Sequence, residues 1–191
     1  MRSLLFIGIF TVLHSAPALS TEPGPWSAGP VFSLQSGLLD NEVANYGFGA
    51  TLIRSLNPLG LRAAVGYHHG SSSRGTRDFA THLLSLQFGT HYRVRFRGID
   101  VDAGAGGTLI YIQETVTRTN QQHNDLFEDQ TSSDFSTVGY GAHISLMVSK
   151  APASWLSVYF GVLLHGLVVT IDGETGFELL PEYVAGAQFH W

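Results

Sequence analysis

The end of the chain constrains the fold more than any other segment. From Tyr183 to Trp191, apolar or aromatic residues alternate with small or polar ones, and the alternation runs to the last residue. Alternation with a period of two predicts a β-strand with one apolar face, and a terminal aromatic residue is typical of a strand whose outer face meets lipid. Because an open sheet would leave unpaired backbone groups in hydrocarbon, we expect this strand to close a β-barrel across a membrane.

The same alternation runs through most of the chain, and no long stretch carries an apolar stripe with a helical period. Eight segments follow the pattern. The predicted strands lie within residues 26–35, 46–52, 61–68, 84–93, 99–111, 138–148, 156–165 and 178–191. Since an even number of strands closes such a sheet, the sequence predicts an all-β fold, an eight-stranded antiparallel up-and-down transmembrane β-barrel.

Periodicity alone does not say which face of each strand is inside, and a secreted ligand-binding barrel with an apolar interior has the same period. The less apolar face of each strand distinguishes a membrane barrel from a secreted one. This face carries many glycines and charged residues such as Arg62, Asp102 and Glu182. These residues suit a narrow interior in which opposite charges pair. We therefore expect a filled, polar interior, with the aliphatic residues facing lipid and Tyr and Trp near the strand ends.

The beginning of the chain carries the pattern of an export signal. A basic residue precedes the apolar run 4–13, and the small residues Ala16 and Ala18 follow it. This order is typical of a secretory signal peptide, and the run is short for a helix that spans a bilayer. We expect residues 1–18 to be cleaved, which leaves residues 19–191 as a single barrel domain.

The composition excludes one class of partner. Lys+Arg number 10 against 15 Asp+Glu, which gives a formal net charge of −5, and cysteine is absent. Without a clustered basic face we expect no binding of nucleic acid. Without disulfides, an exported domain of this size depends on backbone hydrogen bonds and packing, which a closed sheet supplies.

The predicted connections alternate in character. Those within 55–60, 94–98 and 149–154 are short, and those within 39–44, 69–78, 117–134 and 171–176 are more polar and generally longer. Short turns on one rim and longer loops on the other are typical of outer-membrane barrels, whose short turns lie in the periplasm. The loop 117–134 has one apolar spot, Leu126-Phe127, and we expect it either to bind an extracellular ligand or simply to be mobile.

The mature chain resembles the small eight-stranded outer-membrane barrels of Gram-negative bacteria, the OmpA transmembrane-domain, OmpX and OmpW-like group. The motif that carries the resemblance is the C-terminal assembly signal, formed by Tyr183, Gly186, Phe189 and Trp191, with Trp in place of the more usual terminal Phe. The resemblance implies location in the outer membrane, contact with its lipid and lipopolysaccharide, and insertion by the outer-membrane assembly machinery. It implies no cofactor.

A cluster of charged residues is predicted to lie in the lumen. Its members are Arg62, Arg93, Asp100, Asp102 and Glu182. All except Glu182 lie close to the short turns in sequence, so we expect them at similar depth and paired, since an isolated charge in the lumen is unfavourable. Eight strands leave room for side chains and little else, so the cluster is interpreted as a structural plug, with a gated ion path as the alternative.

His143 and Ser145 are weak candidates for catalysis, because residues two apart on a strand share a face and could act as base and nucleophile. Lipid A deacylases of the PagL type, which are also eight-stranded barrels, use such a pair. In this chain Leu146 replaces the Asn that follows their serine, and the register points the pair into the lumen, whereas theirs faces lipid. We therefore expect no catalytic residue and a hydrogen bond in the lumen instead.

No metal site is expected either. His68 and His69 are adjacent in sequence, but neighbouring residues of a strand point to opposite faces and do not chelate one ion. The predicted function is a non-enzymatic, structural or surface-interaction role through the extracellular loops. The alternatives are a lipid A-modifying hydrolase that uses His143 and Ser145, and a narrow channel for small apolar solutes of the OmpW-like kind.

Overall fold

The computed structural model describes residues 25–38, 41–74, 77–119, 130–171 and 173–191. The strands are β1 (Trp26–Leu38), β2 (Asn41–Ser55), β3 (Leu59–Arg74), β4 (Arg77–Phe96), β5 (Ile99–Thr119), β6 (Gln130–Ala153), β7 (Leu156–Ile171) and β8 (Glu174–His190). Each strand pairs antiparallel with the next, and β8 pairs with β1 to close the ring. The predicted all-β, eight-stranded antiparallel barrel is confirmed, whereas the predicted signal peptide lies outside the described residues.

The seam between β1 and β8 joins the two ends of the barrel wall. Its ladder runs from Ser27 opposite His190 to Gln35 opposite Glu182. At the short-turn end the backbone nitrogen of Trp191 donates to the carbonyl oxygen of Trp26 at 3.1 Å. The last strand therefore closes the ring through its residues 182–190, as the alternation at the end of the sequence predicts.

The outer surface of the barrel forms an apolar belt. Large apolar side chains alternate outward on every strand, and they include Phe32, Phe48, Leu61, Phe88, Leu109, Ile144, Val162 and Tyr183. A water-soluble protein rarely exposes so large a continuous apolar surface, but a barrel that spans a bilayer requires it. Among the residues that the structure describes, no helix is long and apolar enough to cross a membrane.

The interior is packed in layers, and it is less polar than predicted. One buried apolar cluster contains Leu83, Ile110, Ile112, Leu167, Val169 and Leu180, and a second contains Val31, Met147, Tyr159, Leu163 and Val184. A polar layer lies between them. The alternation places Tyr159 and Leu163 inside as well, so a partly apolar inner face was predicted for β7, but a polar interior was wrong for most of the other positions. A narrow closed barrel must fill its lumen densely, and branched aliphatic side chains do so without unsatisfied polar atoms.

Several strands extend much further than predicted on the side opposite the short turns. β4, β5 and β6 have 20, 21 and 24 residues, against 13 for β1. Most of the predicted loop 69–78 and both ends of the predicted loop 117–134 are strand. These stretches are polar on both faces and so lack the alternation that marks a strand, yet their backbones pair in register.

The extended strands form a small sheet above the apolar belt, here called the outer extension: residues 70–74 of β3, 77–81 of β4, 113–119 of β5 and 130–137 of β6. Below it, the pairing of β2 with β3 ends at His69, and that of β6 with β7 ends at Gly139. The outer extension is thus an open sheet that continues one side of the barrel wall. Leu126 and Phe127, the apolar spot of the predicted loop, lie outside the described residues.

Candidate functional site

The polar layer in the middle of the lumen is centred on the carboxylate of Glu182 in β8. Because a carboxylate accepts hydrogen bonds, the nitrogens around it are the donors. His165 Nε2 donates to Oε2 at 2.8 Å, Gln87 Nε2 donates to Oε2 at 3.1 Å, and His68 Nε2 donates to Oε1 at 3.3 Å. Glu182 is only 3% exposed, so side chains from three other strands replace its hydration.

The polar layer continues on both sides of Glu182. On one side the hydroxyl of Ser33 lies 2.6 Å from His68 Nε2. On the other side the hydroxyl of Thr108 lies 3.0 Å from His165 Nδ1 and 2.8 Å from His143 Nδ1. The result is a continuous buried hydrogen-bond network, in which each contact is strengthened by the low local dielectric and an unmade contact is correspondingly unfavourable.

Glu182 therefore does not belong to the predicted charge cluster. The sequence identified the buried acid but missed its partners His68, Gln87 and His165, which all lie on inner faces at the middle of their strands. A signal was present, because a buried carboxylate needs several donors and the inward histidines were visible in the alternation. What the alternation does not give is which mid-strand residues meet across the lumen.

The rest of the predicted cluster lies near the short-turn rim, and part of it pairs. Arg93 makes a bidentate contact with Asp102, with Nε and Nη2 at 2.8 and 2.9 Å from the carboxylate oxygens. Asp100 accepts a similar pair of bonds from Arg95, at 2.7 and 3.2 Å, and lies 4.0 Å from Arg93 Nε. We call these four residues the rim cluster. The sequence missed Arg95 as a member.

Arg62 does not pair with these aspartates, so that prediction was wrong. Its Nη1 lies 3.5 Å from the sulfur of Met147, and its Nε is buried without a hydrogen-bond partner among the described residues. The reason is the stagger of the strands. Arg62 is opposite Gly89, which lies four residues before Arg93 on β4, roughly 13 Å along the strand. Counting residues from each turn ignored this offset.

His143 and Ser145 face the lumen side of the wall. His143 is buried and bonded to Thr108, and Ser145 lies partly buried two residues further along β6. A second serine approaches a histidine in the polar layer, but Ser33 and Glu182 both contact the same ring nitrogen of His68. A catalytic triad needs the acid on the other nitrogen, and that atom, Nδ1, is buried without a partner among the described residues.

The two adjacent histidines point to opposite faces, as expected for a strand. His68 is fully buried in the polar layer, whereas His69 lies outside, where its ring contacts that of His82 in a tilted arrangement with centroids 4.7 Å apart. In the described part of the chain, no group of three or more His, Asp or Glu side chains is placed to hold a metal ion.

The assembly-signal residues occupy the seam and its outer face. Tyr183, Phe189 and Trp191 are exposed on the belt side, and the ring of Phe189 stacks on Trp155 at 6.2 Å. Gly186 faces the lumen, where a β-carbon would lie 2.7 Å from the hydroxyl of Tyr159. Glycine at this position therefore lets a large aromatic side chain fill the lumen beside the closing strand.

A cavity of about 300 Å³ lies at the short-turn rim. It is lined by Ser55, Asn57, Pro58, Leu59, His91, Arg93 and Arg95. The second apolar cluster, with Leu163 fully buried, lies between this rim and the polar layer. The cavity is therefore a depression at one mouth of the barrel, and the layers above it fill the lumen.

An apolar outer belt, a closed ring of eight antiparallel strands and a filled lumen together define the fold of the small outer-membrane β-barrels. No family model matches the sequence, and no curated protein is similar enough in sequence to match. The likeness is one of structure, and it shows that the chain has the fold of these barrels.

Three solved structures illustrate the likeness. A major outer membrane protein of Thermus thermophilus superposes with a TM-score of 0.55 and 14% identity, covering 86% of this chain and 99% of that one. OprG of Pseudomonas aeruginosa gives a TM-score of 0.55 and 10% identity over 89% and 97% of the two chains. Neisserial surface protein A gives 0.51 and 15% identity over 87% and 96%.

Proposed function

We propose that this chain is a non-enzymatic outer-membrane barrel of a Gram-negative bacterium that acts at the cell surface, through the outer extension and the connections on that side. The observation that carries the proposal is the filled lumen. Apolar clusters occupy it above and below the polar layer, and Leu163, Leu167 and Leu180 are fully buried. With the lumen occupied, the surface that remains for interaction with other molecules lies at the ends of the barrel.

The same packing argues against a channel for small apolar solutes. Such a solute would have to displace Ile110, Ile112 and their neighbours, which are fully buried. It would then have to cross a layer of hydrogen-bonded polar groups around Glu182. Both steps are unfavourable, because the first opens a well-packed core and the second breaks buried hydrogen bonds.

The orientation of His143 and Ser145 supports the non-enzymatic part of the proposal. A hydrolase of lipid A needs its nucleophile on the surface that faces the membrane, and His143 is buried on the opposite face with its Nδ1 bonded to Thr108. Under this proposal the partners of the belt are outer-membrane lipid and lipopolysaccharide, and those of the C-terminal motif belong to the assembly machinery. Residues 1–18 are the export signal that is removed.

The experiment that tests a surface role is adhesion of a Gram-negative host strain that displays the protein. In a short-extension variant, Asn-Gly replaces residues 115–134 and joins Glu114 to Phe135, which are opposite each other in the ladder. The matched control, Arg97→Asn, changes a turn at the other rim. Cells are applied to surfaces coated with a panel of glycans and matrix proteins, after heat-modifiable migration on gels has shown that each barrel is folded.

We expect cells with the unaltered chain and with Arg97→Asn to be retained on at least one surface, and cells with the short-extension variant to lose that retention. Equal retention of all three, or none above that of the empty host, contradicts the surface role. Steady conductance in planar bilayers, or loss of an acyl chain from lipid A after incubation with the folded protein, would instead favour a channel or a hydrolase.

A further inference from the structure

The cavity at the short-turn rim is a blind pocket in the mouth of the barrel. Its volume of about 300 Å³ lies at the lower end of the range that small-molecule sites occupy. The second apolar cluster, with Leu163 fully buried, separates it from the polar layer. A molecule therefore reaches the pocket from the side of the short turns, which faces the periplasm in an outer-membrane barrel.

Two elements form the walls of this pocket, the turn between β2 and β3 and the lower end of β4. The backbone nitrogen of Arg93 donates to the carbonyl oxygen of Pro58 at 2.8 Å, and this hydrogen bond holds the turn against β4. Gly60 is opposite His91 in the ladder, and a β-carbon on Gly60 would clash with the ring of His91. Backbone pairing and a glycine therefore fix the shape of the pocket.

His91 is a buried polar side chain that lines the pocket. It is only 7% exposed, and its ring has no hydrogen-bond partner among the described residues. A neutral imidazole presents one donor and one acceptor, and buried polar groups in folded proteins are nearly always paired. Because His91 lines the pocket, a hydroxyl group of a bound molecule is a suitable partner for either ring nitrogen.

The charge on the wall of the pocket is positive. Arg93 and Arg95 line it, and none of the described residues that line it is acidic. Arg93 contacts Asp102 through Nε and Nη2 only. Since a guanidinium group has five N–H donors, Arg93 retains donors on Nη1 for a second acceptor without losing its contact with Asp102.

We propose that this pocket binds a small hydroxylated organic anion from the periplasm, a molecule with a carboxylate or phosphate group and at least one hydroxyl group. The acid group accepts hydrogen bonds from Arg93, because guanidinium groups bind such oxyanions strongly. The hydroxyl groups pair with His91 and with Ser55 and Asn57, which line the same pocket.

The lining requires both parts of this ligand. An anion without hydroxyl groups leaves the ring of His91 unpaired, and a neutral polyol does not use the charge of Arg93. The carbon skeleton of the ligand contacts Pro58 and Leu59, which form the apolar part of the wall. The pocket lies at the end of the barrel opposite the outer extension, so the inference does not depend on the proposed surface role.

The test measures binding of tartrate and glycerol 3-phosphate to the full chain in phosphatidylcholine nanodiscs by calorimetry. Two comparison ligands separate the parts of the molecule. Succinate has the carbon chain and the charge of tartrate without its hydroxyl groups, and glycerol lacks the acid group of glycerol 3-phosphate. Empty nanodiscs report binding to lipid.

Three variants locate the binding. His91→Phe keeps a ring and removes its nitrogens, and Arg93→Gln removes the charge. Arg97→Gln is the matched control, because Arg97 is an exposed arginine in the turn at the same rim that does not line the pocket.

We expect saturable binding of tartrate or glycerol 3-phosphate, tighter than that of succinate or glycerol, respectively. Arg93→Gln should weaken it about tenfold or more and His91→Phe about fivefold, because a hydrogen bond to a charged group contributes more than a neutral one. Arg97→Gln should leave it unchanged. If neither ligand binds above empty nanodiscs, if succinate and glycerol bind equally well, or if His91→Phe has no effect, the inference is wrong.

The ligand comparisons use the unaltered chain, so they decide the question even if Arg93→Gln disturbs the rim cluster. The preference for tartrate or for glycerol 3-phosphate identifies the acid group. A chain that adheres but binds neither ligand refutes only this inference. A chain that binds one of them but does not adhere contradicts only the surface role.

Discussion

The barrel holds its interior carboxylates in two different ways. In the rim cluster, Asp100 and Asp102 each face an arginine in bidentate geometry, and the side chain of Arg95 is 50% exposed. In the polar layer, Glu182 is buried and faces two histidines and a glutamine. At the rim, each carboxylate is stabilised both by the opposite charge of an arginine and by nearby water. In the middle of the lumen, directed hydrogen bonds from three side chains replace the water.

This difference teaches where a single substitution acts most strongly. When one partner of a charge pair near solvent is removed, the free energy of unfolding falls only a little, because water solvates the remaining partner. A buried acceptor that serves several donors leaves all of them unsatisfied when it is removed. The contrast predicts an order of effects, from the polar layer to the most exposed arginine of the rim cluster.

The largest effect is expected for Glu182→Ala. The substitution removes the acceptor of His68, Gln87 and His165 and opens a cavity, so we expect a loss of about 3–5 kcal/mol in the free energy of unfolding. Urea unfolding of the barrel in lipid vesicles, followed by tryptophan fluorescence, measures it. Glu178→Ala, a partly exposed position on the same strand, is the control. A loss no larger than that of the control would show that the polar layer is not a stabilising network.

An intermediate effect is expected for Arg93→Met. This change leaves Asp102 without its bidentate partner but keeps the aliphatic part of the side chain, and we expect a loss of about 1–2 kcal/mol. Asp102→Asn and the double variant complete a cycle that isolates the pair. A coupling energy near zero, or a loss equal to that of Glu182→Ala, would contradict the proposed difference between the rim cluster and the polar layer.

The smallest effect is expected for Arg95→Met, because half of this side chain is in contact with solvent. We expect a loss below about 1 kcal/mol at low ionic strength, which disappears in 1 M salt because the Debye length there is only about 3 Å. The loss in Glu182→Ala should hardly change with salt. Equal salt dependence of the two variants would contradict the contrast between the rim cluster and the polar layer.

The fold followed from the sequence wherever one face of a strand meets lipid. Phe48, Leu86 and Ile144 alternate with small or polar residues, and their outward orientation was predicted because the belt demands it. The outer extension was not predicted, because Ser71, Ser72 and Ser73 carry no alternation and read as a loop. Strands without an alternating apolar pattern are specified by backbone pairing, which a local pattern does not reveal.

The site was predicted less completely than the fold. Glu182 was identified as an inward acid, but its contact with His68 joins residues 114 positions apart. Such contacts depend on the stagger of the strands around the ring, as does the separation of Arg62 from Arg93. Local periodicity predicts whether a side chain points into the lumen or toward lipid. Its depth along the barrel axis depends on how the strands are staggered in the closed ring.

Glu182 lies on β8, the last strand in chain order, and it is opposite Gln35 across the closing seam. The donors His68, Gln87 and His165 belong to strands made earlier. A ring joined out of register at the seam would move the carboxylate away from these donors and leave them unmatched in a narrow lumen. The polar layer therefore stabilises the native register of the seam over the alternative registers.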